Sequence, residues 1–194
     1  KGDHATWIDG CIFDIPNRKR SEELQLSTAA ILEMVAGNRT LEEIFSRIIS
    51  IYEQRYPGMR ASILLIKENR LRAGFVASLP DAYNAAIDGL EIGPSVGSCG
   101  TAAFHKKRVI VEDIEHDPLW ADYAEFTIGF NLRACWSEPI FSSDGEVLGT
   151  FAMYYDHPRL PDAEEISDIA NAARLAAIAI ERNLYMEKMK KLSS

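Results

Sequence analysis

The residues best suited to chemistry concentrate in Gly93-Pro-Ser-Val-Gly-Ser-Cys-Gly-Thr-Ala-Ala103. Glycine serves where a backbone turns through positive φ or approaches a neighbour closely. An alanine-rich run follows, so the stretch reads as a loop feeding a helix that Ser98 or Thr101 caps. Such a terminus offers free N–H groups, here at Gly100 and Thr101, to an anion or a polar ligand. Cys99 falls at the same place, where the helix dipole favours a thiolate. The spacing Gly93, Gly97, Gly100 is not GxGxxG, no lysine follows in P-loop position, and no serine stands in GxSxG.

The remaining titratable residues set limits. His4, His105, His116 and His157 are scattered, and Cys11, Cys99 and Cys135 lack CxxC spacing. That pattern argues against a metal site and against a disulfide framework, and a reducing cytoplasm is the expected setting. A net charge of −8 over 194 residues opposes nucleic-acid and anionic-membrane binding. The basic clusters Arg18-Lys19-Arg20 and His105-Lys106-Lys107-Arg108 read as solvated surface. No apolar run is long enough to cross a membrane. With 47% hydrophobic and 26% charged residues, the chain is expected to be globular.

Of the elements that must hold the loop, residues 4–15 read as a short strand built on Trp7, Ile8, Ile12 and Phe13. Ser21 to Ala36 is helical and stops at Gly37-Asn38. Thr40 and Glu43 form a capping box for a second helix, whose Leu41, Ile44, Phe45, Ile48, Ile49 and Tyr52 make one apolar stripe. Ala61 to Ile66 predicts a central strand and Leu71 to Ser78 its hairpin partner. A short helix over 80–87 and a short strand over 90–92 lead into the glycine loop and its helix, which runs to Lys107. A strand at Val109–Val111 and weak helix over Trp120–Ile128 come next. Arg133–Phe141 and Val147–Tyr155 pair around Asp144-Gly145, and Pro139 predicts an edge or a bulge. Pro161-Asp162 opens a long helix to Leu192. Its Ile166, Ile169, Ala173, Ala176, Ile180 and Leu184 approach a heptad seam. The first half of that helix is expected on the sheet, and the second half is expected to project as a dimer or linker helix. The sum is an α+β domain with an antiparallel sheet.

Four blocks in this order resemble a GAF domain: Gly97-Ser-Cys-Gly-Thr-Ala-Ala103; Val109-Ile-Val-x-Asp-Ile114 with Asp117-Pro-Leu-Trp120; Leu132-Arg-Ala-Cys-Trp-Ser-x-Pro-Ile140; and Asp144-Gly-x-Val-Leu-Gly-Thr-Phe151. The resemblance covers residues 28–184. It implies a six-stranded antiparallel sheet, with N- and C-terminal helices on one face and loops and short helices roofing a ligand pocket on the other. Asp14, Ile15, Arg18, Lys19, Arg20 and Glu22 resemble the end of a PAS domain running into a linker helix, although Pro16 replaces the usual Thr. The expected organisation is a PAS remnant over 1–20, a GAF domain over 21–184 and a linker helix over 185–194.

The resemblance puts Ser98, Cys99, Gly100, Thr101, Phe104, Asp113, Trp120, Tyr123, Arg133, Cys135 and Ser137 around the pocket. Trp120 and Tyr123 would stack on a flat ligand, Arg133 would hold an anionic group, and Asp113 would accept a hydrogen bond. The expected function is small-molecule sensing in a bacterial signalling protein, a sensor kinase or cyclic-di-nucleotide enzyme, with a homodimer formed through the terminal helices. The alternatives are a non-sensing dimerisation spacer and a redox enzyme. Free methionine-R-sulfoxide reductases, also GAF-fold, carry a Cys in Gly-x-x-Cys-Gly-Thr-Ala, but their further cysteines have no counterpart in 61–98 or 112–131 here. Neither Cys99 nor Cys135 stands in the Cys-His context of bilin binders. His105 and Cys99 remain as axial candidates for haem. The residues name no cofactor, no metal and no catalytic group.

Overall fold

The computed structural model describes residues 4–193, with side chains from residue 18 onward. Helix α1 spans His4–Ala36 and α2 spans Leu41–Arg55. Thr40 and Glu43 cap α2 reciprocally, as their spacing predicts. Strands β1 (Arg60–Lys67) and β2 (Arg70–Phe75) form a hairpin, followed by α3 (Asp81–Ile87), α4 (Gly97–His105) and β3 (Val109–Val111). A 3-10 turn at Pro118–Trp120 and α5 (Ala124–Ile128) precede β4 (Ala134–Phe141), β5 (Val147–Tyr155) and α6 (Ala163–Leu192).

Among the described residues the sheet is antiparallel with five strands, in the order β2-β1-β5-β4-β3, and not the six that the resemblance implies. Both faces are covered, so its central strands read as continuous apolar runs, and side-chain alternation divides the core into two. Ile63, Ala134, Trp136, Phe151, Met153 and Tyr155 point to the side packed by α1, α2 and α6. Leu64, Cys135, Ala152 and Tyr154 point to the other, under α4 and the connecting segments.

Three further expectations change. Residues 4–15 belong to α1, not to a strand. A strand there has no sheet edge to pair with, whereas a helix satisfies its backbone groups within the segment. The side chains of Trp7, Ile8, Cys11, Ile12, Phe13, Asp14, Ile15 and Pro16 lie outside the described residues. The expected strand over 90–92 is a single bridge between Arg70 and Glu91, since Gly89 and Gly93-Pro94 close it off at both ends. The helix after the glycine loop begins at Gly97 with Val96 at its N-cap and no side-chain cap. The Thr101 hydroxyl instead accepts from the Val96 N–H (3.0 Å), and Ser98 turns inward. Pro139 pairs with Thr150 beyond the last β3 contact at Ser137, where β4 has β5 on one side and no strand on the other, and next to the irregular register at Ile140–Phe141.

Buried charge fixes the helical layer. Asp168 of α6 accepts from Arg55 Nε and from the Tyr56 hydroxyl, each at 2.5 Å. Glu165, 1% exposed, accepts from the Tyr155 hydroxyl (2.7 Å), Arg159 (2.7 Å) and the Asp162 N–H (3.0 Å), which closes a capping box at the start of α6. From Glu165 to Ile180, α6 buries one face on the sheet, and beyond Asn183 it is largely exposed.

Candidate functional site

The second core encloses a cavity of about 40 Å³ beneath the start of α4. Leu64, Leu71 and Tyr154 of the sheet form its floor, and Val96 to Cys99 form one wall. Tyr83, Ala86 and Ile87 of α3, with Trp120, Tyr123, Phe126 and Thr127, roof it. Ala86 and Phe126 are also exposed, so the mouth lies between α3 and α5. No charged side chain lines this cavity.

Trp120 is fixed by chemistry at its edge. Its Nε1–H donates to Ser98 Oγ (3.1 Å), and that hydroxyl in turn donates to the Cys135 carbonyl (3.0 Å). The chain ties the roof to α4 and α4 to β4. Gly97, at φ +56°, sits against the Trp120 ring: a Cβ there would lie 3.3 Å from it, in a conformation side chains avoid. Where roof meets floor, Tyr83 and Tyr154 pack edge to face at 5.9 Å, with their hydroxyls 3.4 Å apart. Burial pushes the ionisation of both phenols far up, so both stay neutral.

Of the residues assembled from sequence, Ser98, Cys99, Trp120 and Tyr123 line the cavity. Cys135 and Ser137 are buried on the same sheet face, behind Cys99. Gly100 and Thr101 are buried but turned elsewhere: the Gly100 N–H donates to the Val96 carbonyl (3.1 Å), and a Cβ on it would meet Val96 at 2.7 Å. Phe104 is 49% exposed and meets His105 edge to face, away from the site. Arg133 pairs with Glu115 (2.9 Å) and Asp113 with His116 (2.8 Å) in a surface network outside it. There the His116 side chain, first, and the Glu115 N–H hold Asp113 below its ordinary range, and Asp113 raises His116 in turn. Sequence reading missed Tyr83, Tyr154, Leu64, Leu71 and Thr127, whose types are those of any core.

A wider groove of about 550 Å³ lies between α1, α2 and α6. It is open and polar, with Arg55 held by ion pairs along it, whereas the cavity under α4 is apolar with a few placed hydroxyls, the usual form of a small-ligand site.

A family model described as GAF domain matches residues 38–181. The chain is 40% identical over 178 residues to the methyl sulfide methyltransferase-associated sensor of Methanosarcina acetivorans, covering 91% of this chain and 18% of that protein. A domain ascribed to a two-component sensor histidine kinase of Sinorhizobium meliloti 1021 superposes with a TM-score of 0.64 at 23% identity, over 76% of this chain and 96% of that one. The free methionine-R-sulfoxide reductase of Neisseria meningitidis, solved with its substrate, gives 0.60 at 15% identity, over 82% and 89%. These two structures share the fold alone. No helix among the described residues is long and apolar enough to cross a membrane.

Proposed function

The chain belongs to the GAF domain family, and on that premise we propose that it is a regulatory sensing domain whose ligand is a small, neutral, apolar molecule held under α4. The observation that carries this is the cavity lining, apolar and without charge, while the cation expected to grip an anion, Arg133, is spent on Glu115 outside. About 40 Å³ holds two or three water-sized groups, not a nucleotide or a tetrapyrrole. The similarity to a protein named as a sensor supports a regulatory role. That name mentions a methyl sulfide methyltransferase, which puts small thioethers first among the probes. The fold shared with a reductase favours no catalysis here, because the segments 61–98 and 112–131 carry no cysteine.

In a thermal-shift titration, dimethyl sulfide is expected to raise Tm and cyclic GMP to leave it unchanged. At about 100 times Kd, occupancy adds about 2.7 kcal/mol. Thr127→Met, which places bulk in the cavity, is expected to abolish the rise. Stabilisation by cyclic GMP, or an undiminished thioether response in Thr127→Met, overturns the reading.

The domain is proposed to work as a homodimer within a longer signalling chain, linked upstream by a PAS-like leader through α1 and downstream to an output domain through α6. Ile178, Tyr185 and Leu192 stand exposed at seven-residue intervals, with Leu184 and Met189 beside them, as a coiled-coil seam requires. A ligand then acts by favouring one stalk arrangement over the other. Sedimentation is expected to give a dimer at micromolar concentration that Tyr185→Glu with Leu192→Glu dissociates by tenfold or more. A wild-type monomer throughout that range contradicts the seam.

A further inference from the structure

Cys99 has surroundings that packing does not explain. It is the third residue of α4, whose first turn carries no side-chain cap, so unpaired N–H dipoles lie beside it. Its Sγ lies 3.8 Å from the Tyr154 hydroxyl. On the sheet beneath it, the Ser137 and Thr150 hydroxyls are fully buried and meet no hydrogen-bond partner among the described residues. An unpaired buried hydroxyl costs free energy, and the group whose ionisation both favour is the Cys99 sulfur. A thiol is a weak acceptor, and a thiolate is a strong one. The Cys135 thiol, first, then Ser137, Thr150 and Tyr154 hold Cys99 below the ordinary thiol range against a burial that raises it. Cys135, Tyr83 and Tyr154, the other titratable groups facing the sulfur, are pushed up by burial and stay protonated as donors or neutral neighbours.

We propose that Cys99 is a covalent thiolation site for small neutral alkyl disulfides that enter through the apolar cavity. The Cys99 thiolate attacks one sulfur of R–S–S–R. The new bond is Cys99–S–S–R, the old sulfur–sulfur bond breaks, and the departing R–S⁻ takes a proton from water. The disulfide is the oxidant and is reduced to one thiol. The cavity selects the class: it offers room for a few heavy atoms, and it has no counter-charge for the carboxylates of a peptide disulfide. The modified side chain then fills the space that Trp120 and Tyr83 roof.

The test treats the chain with dimethyl disulfide and, separately, with glutathione disulfide, followed by intact mass and peptide mapping. One methylthio group is expected on Cys99, at least about tenfold faster than on Cys135 and than with glutathione disulfide, and removable by a dithiol reductant. Ser137→Ala and Thr150→Val are each expected to slow the reaction at neutral pH, and together by about twofold, since the fall in thiolate fraction is partly offset by the greater nucleophilicity of a more basic thiolate. Equal rates with the two reagents in the wild-type chain, modification of Cys135 first, or unchanged rates in both variants overturn the proposal. A cavity that binds thioethers while Cys99 stays unmodified removes this inference and leaves the sensing function standing.

Discussion

Replacing Gly149 by alanine is expected to bring the domain close to unfolding. Gly149 lies in β5 between Leu65 of β1 and Ile140 of β4, in the middle of the sheet. A Cβ added there would stand 2.1 Å from the Leu64 carbonyl oxygen and 3.3 Å from the Leu65 Cα. Both are backbone atoms held by strand pairing, so no side chain can turn aside. The strand must shift, and shifting it disturbs both cores, since Leu64 floors the cavity and Phe151 belongs to the helical side. The expected loss exceeds about 4 kcal/mol, against a total stability on the order of 5–15 kcal/mol. Gly145→Ala is the control. It sits at φ +81° with nothing within 4 Å of its Cβ, so only the conformational cost of about 1 kcal/mol applies. Urea denaturation followed by tryptophan fluorescence measures both, and equal, small losses would contradict the packing of β1 on β5.

Replacing Arg55 by methionine is the second large effect. It keeps the aliphatic stem and removes the guanidinium that pairs with Asp168, whose side chain is 4% exposed. The Tyr56 hydroxyl alone then faces a buried carboxylate. Removing one member of such a pair costs about 3–5 kcal/mol. Arg55 also pairs with Glu164, but that carboxylate is 51% exposed, so Glu164→Gln is expected to cost less than about 1 kcal/mol. Adding Asp168→Leu to Arg55→Met is expected to recover most of the loss, because no uncompensated charge remains. A single-variant loss below about 1 kcal/mol would mean that the α2–α6 contact rests on apolar packing alone. The expected behaviour makes the pair the pin that holds α6 to α2, and α6 is the element through which pocket occupancy is proposed to leave the domain.

Elements with local signals were legible in the sequence. The Thr40–Glu43 box, the β1 apolar run, the Asp144-Gly145 hairpin and the Asp162 start of α6 each depend on residues within one turn of one another. What depended on distant partners was not. Residues 4–15 carry strand-forming types yet lie in a helix, because a strand is defined by its neighbour and none is there. Val96 caps α4 through backbone geometry, and no side-chain pattern announces that. The site divided in the same way. Ser98, Cys99 and Trp120 came from motif blocks and Tyr123 from the segment just after one, and all four line the cavity. Arg133 and Asp113 came from the same blocks, but the loop that ends β3 folds back there: the Ile114 N–H bonds the Arg133 carbonyl (2.8 Å), and the charges on both sides pair outside. Tyr83 and Tyr154 are 71 residues apart, and only the packing of α3 over the sheet brings them together.

The chemical character of the cavity is the central claim, and a methyl-resolved NMR titration of the chain tests it most directly. With dimethyl sulfide, the methyl signals of Leu64, Leu71, Ile87 and Val96 are expected to move in a saturable way, while those of Ile44 and Ile180 in the other core stay in place. With cyclic GMP, none of them is expected to move. Saturable shifts at the cavity methyls with cyclic GMP, or no shift there with the small thioether, would contradict a neutral apolar ligand site.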